Sequence, residues 1–276
     1  MDLYRKNSLK CSKVTTHSYS TSFSLGIRML KKKYRPGIYA VYGFVRFADE
    51  IVDTFFKQNQ EILLAEFTFD TRKAIERGFS TNPVIDSFQW AVRKYQIESE
   101  LIDAFLYSME LDLKKKDYSR EELKTYIYGS AEVVGLMCLK VFYHKEPAKY
   151  EELVYPARKL GEAFQKVNFL RDTKDDFKNK GRSYLSFDYE KFDAEAKNEI
   201  ENEIAFDFSE ALPGIRKLKR QVRFGVLLAY LYYVKLLVII RKRPPETLLS
   251  ERCRVPGYLK IGLLVRAGFK NLFNLV

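Results

Sequence analysis

Tyr42, Arg46, Asp49 and Asp53 follow one another at spacings of four, three and four within Tyr39–Asp53, a stretch that is apolar at most other positions. On an α-helix those spacings stack the four side chains along one face. The apolar remainder reads as a buried helix, so the polar stripe needs a partner or a ligand. A second stretch, Gly161–Asp176, repeats the pattern: Gln165, Asn168, Asp172 and Asp176 share a face, with Arg171 and Asp175 at its edge. Each helix thus carries an Asp-x-x-x-Asp pair spanning one turn, roughly 6 Å of rise.

Two such stripes facing each other confine at least four carboxylates in a low-dielectric space. The penalty is several kcal/mol per buried ion, against a total stability of about 5–15 kcal/mol. The carboxylates must therefore share protons, pair with Arg, or hold cations. Neither stretch contains His or Cys, and oxygen-only donors favour a hard ion. Mg²⁺ usually takes one or two carboxylates and completes its shell with water and substrate phosphates. A one-turn acidic pair alone is commonly solvated helix surface. Two of them, each beside Arg on an otherwise apolar helix, point to a metal-bridged diphosphate site inside a helical cavity.

The elements that must position these residues follow from the rest of the chain. Its 276 residues are 46% hydrophobic and 15% aromatic, with 19 Tyr, 21 Phe and one Trp, enough for a large core and an aromatic-lined cavity. Thr15 to Leu30 reads as one helix after a polar start, with Ser20, Phe23 and Ile27 on one face. Pro36 opens the first carboxylate helix, which runs to about Phe55. Gln58 to Arg77 ends at Gly78, and Asn82 caps a helix through Tyr95. Ile97 to Leu113 follows, and the capping box Ser119/Glu122 opens a helix through Phe142 with Tyr126, Ser130, Val133 and Met137 on one face. Glu146 to Phe177 is the second carboxylate helix, and residues 179–186 form a loop. Tyr189 to Ala211 is helical, Pro213-Gly214 marks a turn, and Ile215 to Arg241 is a long helix. Pro244-Pro245 and Pro256-Gly257 punctuate the last helices. No strand pairs, repeats or linker emerge, so the expectation is one all-α domain over residues 1–276.

Three scattered Cys (Cys11, Cys138, Cys253) suggest a reducing compartment. His17 and His144 offer no metal-site spacing or triad. The N-terminus lacks a signal-peptide apolar run, and the longest uncharged candidate for a span, Phe224–Val234, is too short for a membrane crossing. A cytoplasmic protein is expected. Gly214 to Val276 holds 14 Lys/Arg against Glu246 and Glu251, so the whole net charge of +12 sits in that C-terminal quarter. That excess suits peripheral contact with an anionic membrane. Its tyrosines, Tyr230, Tyr232 and Tyr233, sit in an apolar run and form no stacking platform for nucleic acid.

These residues resemble the squalene/phytoene synthase family, the head-to-head prenyl transferases. The likeness runs through Ser20–Phe23, Tyr42–Asp53, Tyr126 with Ala131–Gly135, Gln165–Asp176 and Gly181–Leu185. It implies an all-α isoprenoid synthase fold around a central cavity, and condensation of two prenyl diphosphates through a cyclopropylcarbinyl diphosphate. By resemblance, Asp49, Asp53, Asn168, Asp172 and Asp176 hold Mg²⁺, with Mn²⁺ as a substitute. Arg46, Arg171 and Arg182 neutralise the leaving diphosphates. Ser20, Gln165 and Tyr184 help place them, Phe23 belongs to the same substrate set, and Tyr42 and Tyr126 face the reacting carbons. Three features depart from the family pattern: Glu50 where a second Asp is common, Glu132 where Gly is frequent, and Tyr19 where a His often stands.

Members split between joining two C20 chains (phytoene synthases) and two C15 chains (squalene or dehydrosqualene synthases). The longer chain needs about one more helical turn of depth, about 5 Å. Ile27 and Tyr39, one turn from Phe23 and Tyr42, are candidate floor residues, and the medium-sized Ile27 leans toward C20. The chain has no Gly-x-Gly, and NADPH is not expected. The expectation is a phytoene synthase of the carotenoid route, with a squalene or dehydrosqualene synthase as the alternative. A non-catalytic helical protein that binds membrane or nucleic acid is the rival from another class. Such a protein has no need of both carboxylate sets.

Overall fold

The computed structural model describes residues 2–115, 118–178 and 192–275, with the side chains of 176–178 outside that description. Among the described residues the chain forms α1 (Leu3–Tyr19), α2 (Thr21–Met29), α3 (Arg35–Asp53), α4 (Gln60–Arg77), α5 (Pro83–Tyr95), α6 (Ser99–Lys114) and α7 (Arg120–Ile127). A π-helical turn at Tyr128–Glu132 leads into α8 (Val133–Tyr143), followed by α9 (Pro147–Lys178), α10 (Ala194–Lys217), α11 (Arg220–Arg241), α12 (Pro245–Ser250) and α13 (Gly257–Leu272). No strand occurs among them. The all-α expectation holds.

Local chemistry sets many of the helix ends. Asn82 caps α5 through its side chain, Ser119 and Glu122 close the capping box of α7, and Gly78 ends α4 at φ +79°. The N-terminal reading needs correction. The polar start is itself helix α1, and Thr15–Leu30 is broken at Ser20, whose extended backbone lets its Oγ accept from the Phe23 amide at 3.1 Å. A Ser with a free hydroxyl competes with the helix and wins as a cap. The Pro213-Gly214 turn is also corrected, because α10 runs straight through both residues. A Cβ on Gly214 would lie 2.4 Å from Pro156 of α9, so this is a close helix crossing whose packing outweighs the lost backbone hydrogen bond. The break falls instead at Leu218–Lys219, where the Lys219 amide donates to the Tyr143 hydroxyl at 2.8 Å.

Two large apolar clusters share α9. Its first half (Tyr150, Leu153) packs with α3, α5, α6 and α8, and its second half (Ala163, Val167, Leu170) with α10, α11 and α13. In the first cluster Phe44 of α3 stacks on Phe88 of α5 at 3.8 Å and lies 5.4 Å from both Phe67 and Phe105. That anchorage buries one face of α3 and leaves its polar stripe on another. Helix α11 is long and apolar enough to cross a membrane, but half of its most apolar window is buried inside the protein. It is the central helix of the second cluster.

Candidate active site

A cleft of about 190 Å³ is lined by Arg46, Asp49, Val52 and Asp53 of α3, Met109 and Asp112 of α6, Tyr126 of α7, and Gln165, Asn168, Phe169, Arg171 and Asp172 of α9. The two stripes read from spacing therefore meet in one place. The side chain of Asp176, together with Arg182 and Tyr184, lies outside the described residues.

Charge in the cleft is held by opposed pairs. Arg171 grips Asp172 through Nε–Oδ1 at 3.0 Å and Nη2–Oδ2 at 2.5 Å. Arg252, between α12 and α13, adds Nε–Oδ1 at 2.7 Å. Burial works to raise the Asp172 carboxyl, but Arg171 and then Arg252 outweigh it and hold it below the usual carboxylate range. Burial likewise opposes the charge on Arg171, and Asp172 overcomes it, keeping the guanidinium protonated. On α3, Arg46 ion-pairs with Glu50 and sits 3.9 Å from Asp49. Its guanidinium lies 4.4 Å from the Tyr19 ring centre, while its buried Nε has no hydrogen-bond partner. That orphan donor is suited to an anionic oxygen.

The neutral residues are cross-braced. Asn168 donates toward Gln165 at 3.4 Å and accepts from the Tyr233 hydroxyl at 3.2 Å, and Gln165 meets Ser130 Oγ at 3.3 Å. Asp112, 5% exposed, accepts from the hydroxyls of Tyr118 and Tyr126, each at 3.0 Å. The π turn after α7 presses against α6 and α9: a Cβ on Gly129 would lie 2.4 Å from the Ala104 carbonyl, and one on Gly161 2.8 Å from that of Ala131. This turn interrupts the single face expected for Tyr126, Ser130, Val133 and Met137, and π turns concentrate at functional sites.

An aromatic wall continues from the polar rim. Phe23 lies 5.7 Å from Tyr42 and edge-on to Phe164 at 6.5 Å, and Phe164 stacks on Tyr233 at 4.0 Å. Burial pushes the Tyr42 hydroxyl up to about 12, with Arg46 opposing and Ser20 hydrogen-bonded to it. Cys138 keeps some accessible surface, yet burial pushes its thiol up to about 12. Ile27 and Tyr39 are both buried in the first cluster.

The departures find local explanations. Glu50 pairs with Arg46 and does not line the cleft. Glu132 is buried at the end of the π turn, where burial raises its carboxyl, and Arg158 compensates it through a 2.6 Å bond. Tyr19 carries the Arg46 guanidinium, while His17 lies on exposed α1 surface, 3.3 Å from the Tyr39 hydroxyl. Sequence reasoning missed Asp112, Arg252, Tyr233 and Tyr19 as site residues. Only the Tyr126–Asp112 and Tyr233–Asn168 bonds reveal the first and third, and no spacing signals Arg252.

The donor set fits a divalent hard cation of the shared kind. Asp49, Asp53, Asn168 and Asp172 offer oxygens around one cleft, yet no group of three or more acidic, His or Cys side chains among the described residues forms a closed cage. An ion held by one or two carboxylates from each helix and completed by substrate phosphate is what such a set suits.

A helical bundle whose two acidic helices flank a polar cleft and an aromatic interior defines an isoprenoid synthase. The squalene/phytoene synthase family matches residues 16–189, and this chain belongs to it, a family of head-to-head prenyl transferases. It is 25% identical to a phytoene synthase of Arthrospira platensis, over 93% of this chain and 91% of the relative. It is 29% identical to a 4,4′-diapophytoene synthase of Staphylococcus haemolyticus, over 61% of this chain and 58% of the relative. The fold is similar to the crystal structure of a dehydrosqualene synthase in complex with ligand, with a TM-score of 0.81, 23% identity and 96% of each chain covered.

Proposed function

We propose that this chain is a 15-cis-phytoene synthase, joining two geranylgeranyl diphosphates head to head through a cyclopropylcarbinyl diphosphate. The observation that carries the reading is the meeting of the α3 and α9 stripes in one cleft, beside which Tyr233, bonded to Asn168, stacks on Phe164. In the first half-reaction the C1–O bond of one substrate breaks, diphosphate leaves, and C1 bonds to the double bond of the second substrate with loss of a proton. In the second half-reaction the cyclopropyl intermediate loses its own diphosphate, rearranges and releases another proton. Two diphosphates and two protons leave, and no reductant enters.

Mg²⁺ held by Asp49, Asp53, Asn168, Asp172 and Asp176 would neutralise charge on the departing oxygens. Arg46, with its orphan Nε, and Arg171 add fixed positive charge where that oxygen charge develops. Asn168 and Gln165, braced by Tyr233 and Ser130, keep the polar rim in register. Phe23, Tyr42, Phe164 and Tyr233 exclude water, and their ring faces stabilise a carbocation without capturing it.

The C20 reading is supported by the near full-length similarity to a phytoene synthase and by the moderate size of Ile27. Squalene or dehydrosqualene synthesis from two farnesyl diphosphates is the second reading, favoured by the 29% identity to the diapophytoene synthase. Purified protein incubated with geranylgeranyl diphosphate and Mg²⁺, without NADPH, should yield a C40 hydrocarbon by mass spectrometry. Absence of that product, with a C30 hydrocarbon formed from farnesyl diphosphate, overturns the proposal.

A further inference from the structure

Helix α13 has two apolar faces, and the protein covers only one. Leu263 and Ala267 are buried in the second cluster beside α11, and a Cβ on Gly268 would lie 3.6 Å from the Phe224 ring. Arg223, itself 8% exposed, donates to Asn271 at 3.0 Å and to Asn274 at 2.7 Å, which fixes the end of the helix and therefore its rotation. The opposite face carries Tyr258, Ile261, Val265, Phe269 and Leu272, between 56% and 73% exposed. Their spacings of three, four, four and three make one continuous stripe along four turns. Phe273 and Leu275 extend it, also more than half exposed. Monomeric proteins rarely present a contiguous apolar face of this length to water, and such faces mark interaction surfaces.

Charge decides the occupant. From Arg252 to the end of the sequence there are five Lys/Arg and no Asp or Glu. An exposed apolar stripe within a purely basic segment is the pattern of a helix lying in the plane of an anionic bilayer, its rings and branched chains among the acyl chains and its cations at the headgroups. The position agrees. Lys260 of α13 donates to Thr21 Oγ1 at 3.1 Å and lies 5.6 Å from the Tyr232 ring. Thr21 adjoins Ser20, and Tyr232 adjoins Tyr233, so the helix starts beside the wall of the cleft. We infer that the outward face of α13 docks this protein on anionic lipid membranes. A docked helix there sets the cleft close to the lipid phase that holds long prenyl chains. The inference stands on α13 alone and does not depend on which prenyl diphosphate is used.

The test is co-sedimentation of the purified protein with phosphatidylcholine vesicles containing or lacking phosphatidylglycerol, at low and high salt. Binding should require the anionic lipid and weaken with salt. The double variant Ile261→Asp/Val265→Asp should reduce partitioning by roughly tenfold or more, because each change removes about two inserted carbons and adds a repelled charge. Its thermal unfolding, and its turnover of detergent-dispersed substrate, should match the parent protein. Arg266→Glu/Lys270→Glu should weaken binding most at low salt. Failure of the parent to co-sediment with anionic vesicles at low salt overturns the inference, as does equal binding by the Asp variant. It is also overturned if light scattering shows a dimer that the Asp variant dissolves while vesicle binding persists, since the face then serves self-association.

Discussion

Replacing Asp172 with Asn separates the chemical role of the cleft from its structural one. The carboxylate takes two bonds from Arg171 and one from Arg252. Asn keeps one acceptor oxygen and loses the charge. Charge-assisted bonds are worth about 1.5–3 kcal/mol each when well sheltered. Asp172 and Arg171 retain 17% and 21% exposure, and Arg252 retains 42%, so solvent screening discounts that figure. A net loss of about 1–3 kcal/mol is expected, lowering the melting temperature by roughly 3–8 °C. Against a stability of about 5–15 kcal/mol, nearly every molecule stays folded. Turnover should fall by about 10²–10³ or more, the usual consequence of removing one preorganised electrostatic group. The assays are hydrocarbon formation across a Mg²⁺ titration and thermal unfolding of the same sample. Near-parental turnover with unchanged Mg²⁺ dependence would refute the assignment of Asp172 to the metal. An activity loss no larger than the unfolded fraction would refute it equally.

Three further outcomes follow from the packing. Phe44→Ala, which empties a fully buried ring site between Phe67, Phe88 and Phe105, should cost about 3–5 kcal/mol in urea unfolding. Burial acts to raise the Glu162 carboxyl, but bonds from Lys159 and Lys166 outweigh it and hold it low. The unfolded chain then binds the proton more readily, so stability rises with pH. This contribution is complete above the unfolded value of about 4.3 and lost as pH falls through the lower folded value. Glu162→Gln should therefore flatten the acid side of the stability profile, and an unchanged profile would count against the pairing. Ile27→Phe, at a site only 3% exposed, should shift product from C40 toward C30 in competition between the two diphosphates. A product ratio unmoved by the larger side chain would remove Ile27 from the cavity floor.

Much of the site was legible in the chain because helical periodicity is a local property. The spacings of Tyr42, Arg46, Asp49 and Asp53, and of Gln165, Asn168 and Asp172, place each set on one face of its own helix whatever the rest of the molecule does. The caps at Asn82 and Ser119 and the stop at Gly78 are equally local, since each satisfies backbone groups within a few residues. What periodicity cannot encode is which surfaces meet. The approach of Arg252 to Asp172, eighty positions away in sequence, depends on how α12 folds back over α9. The choice of Asp112 as partner of Tyr126 depends on how closely α6 meets the chain after α7, where a Cβ on Gly129 would lie 2.4 Å from the Ala104 carbonyl. The same limit explains the misplaced break at Pro213, where contact with Pro156 keeps α10 helical against the propensity of its own residues. Local spacing determined the chemistry the helices carry, and long-range packing decided where it converges, because side-chain direction is set within a turn while helix contact is set by the whole core.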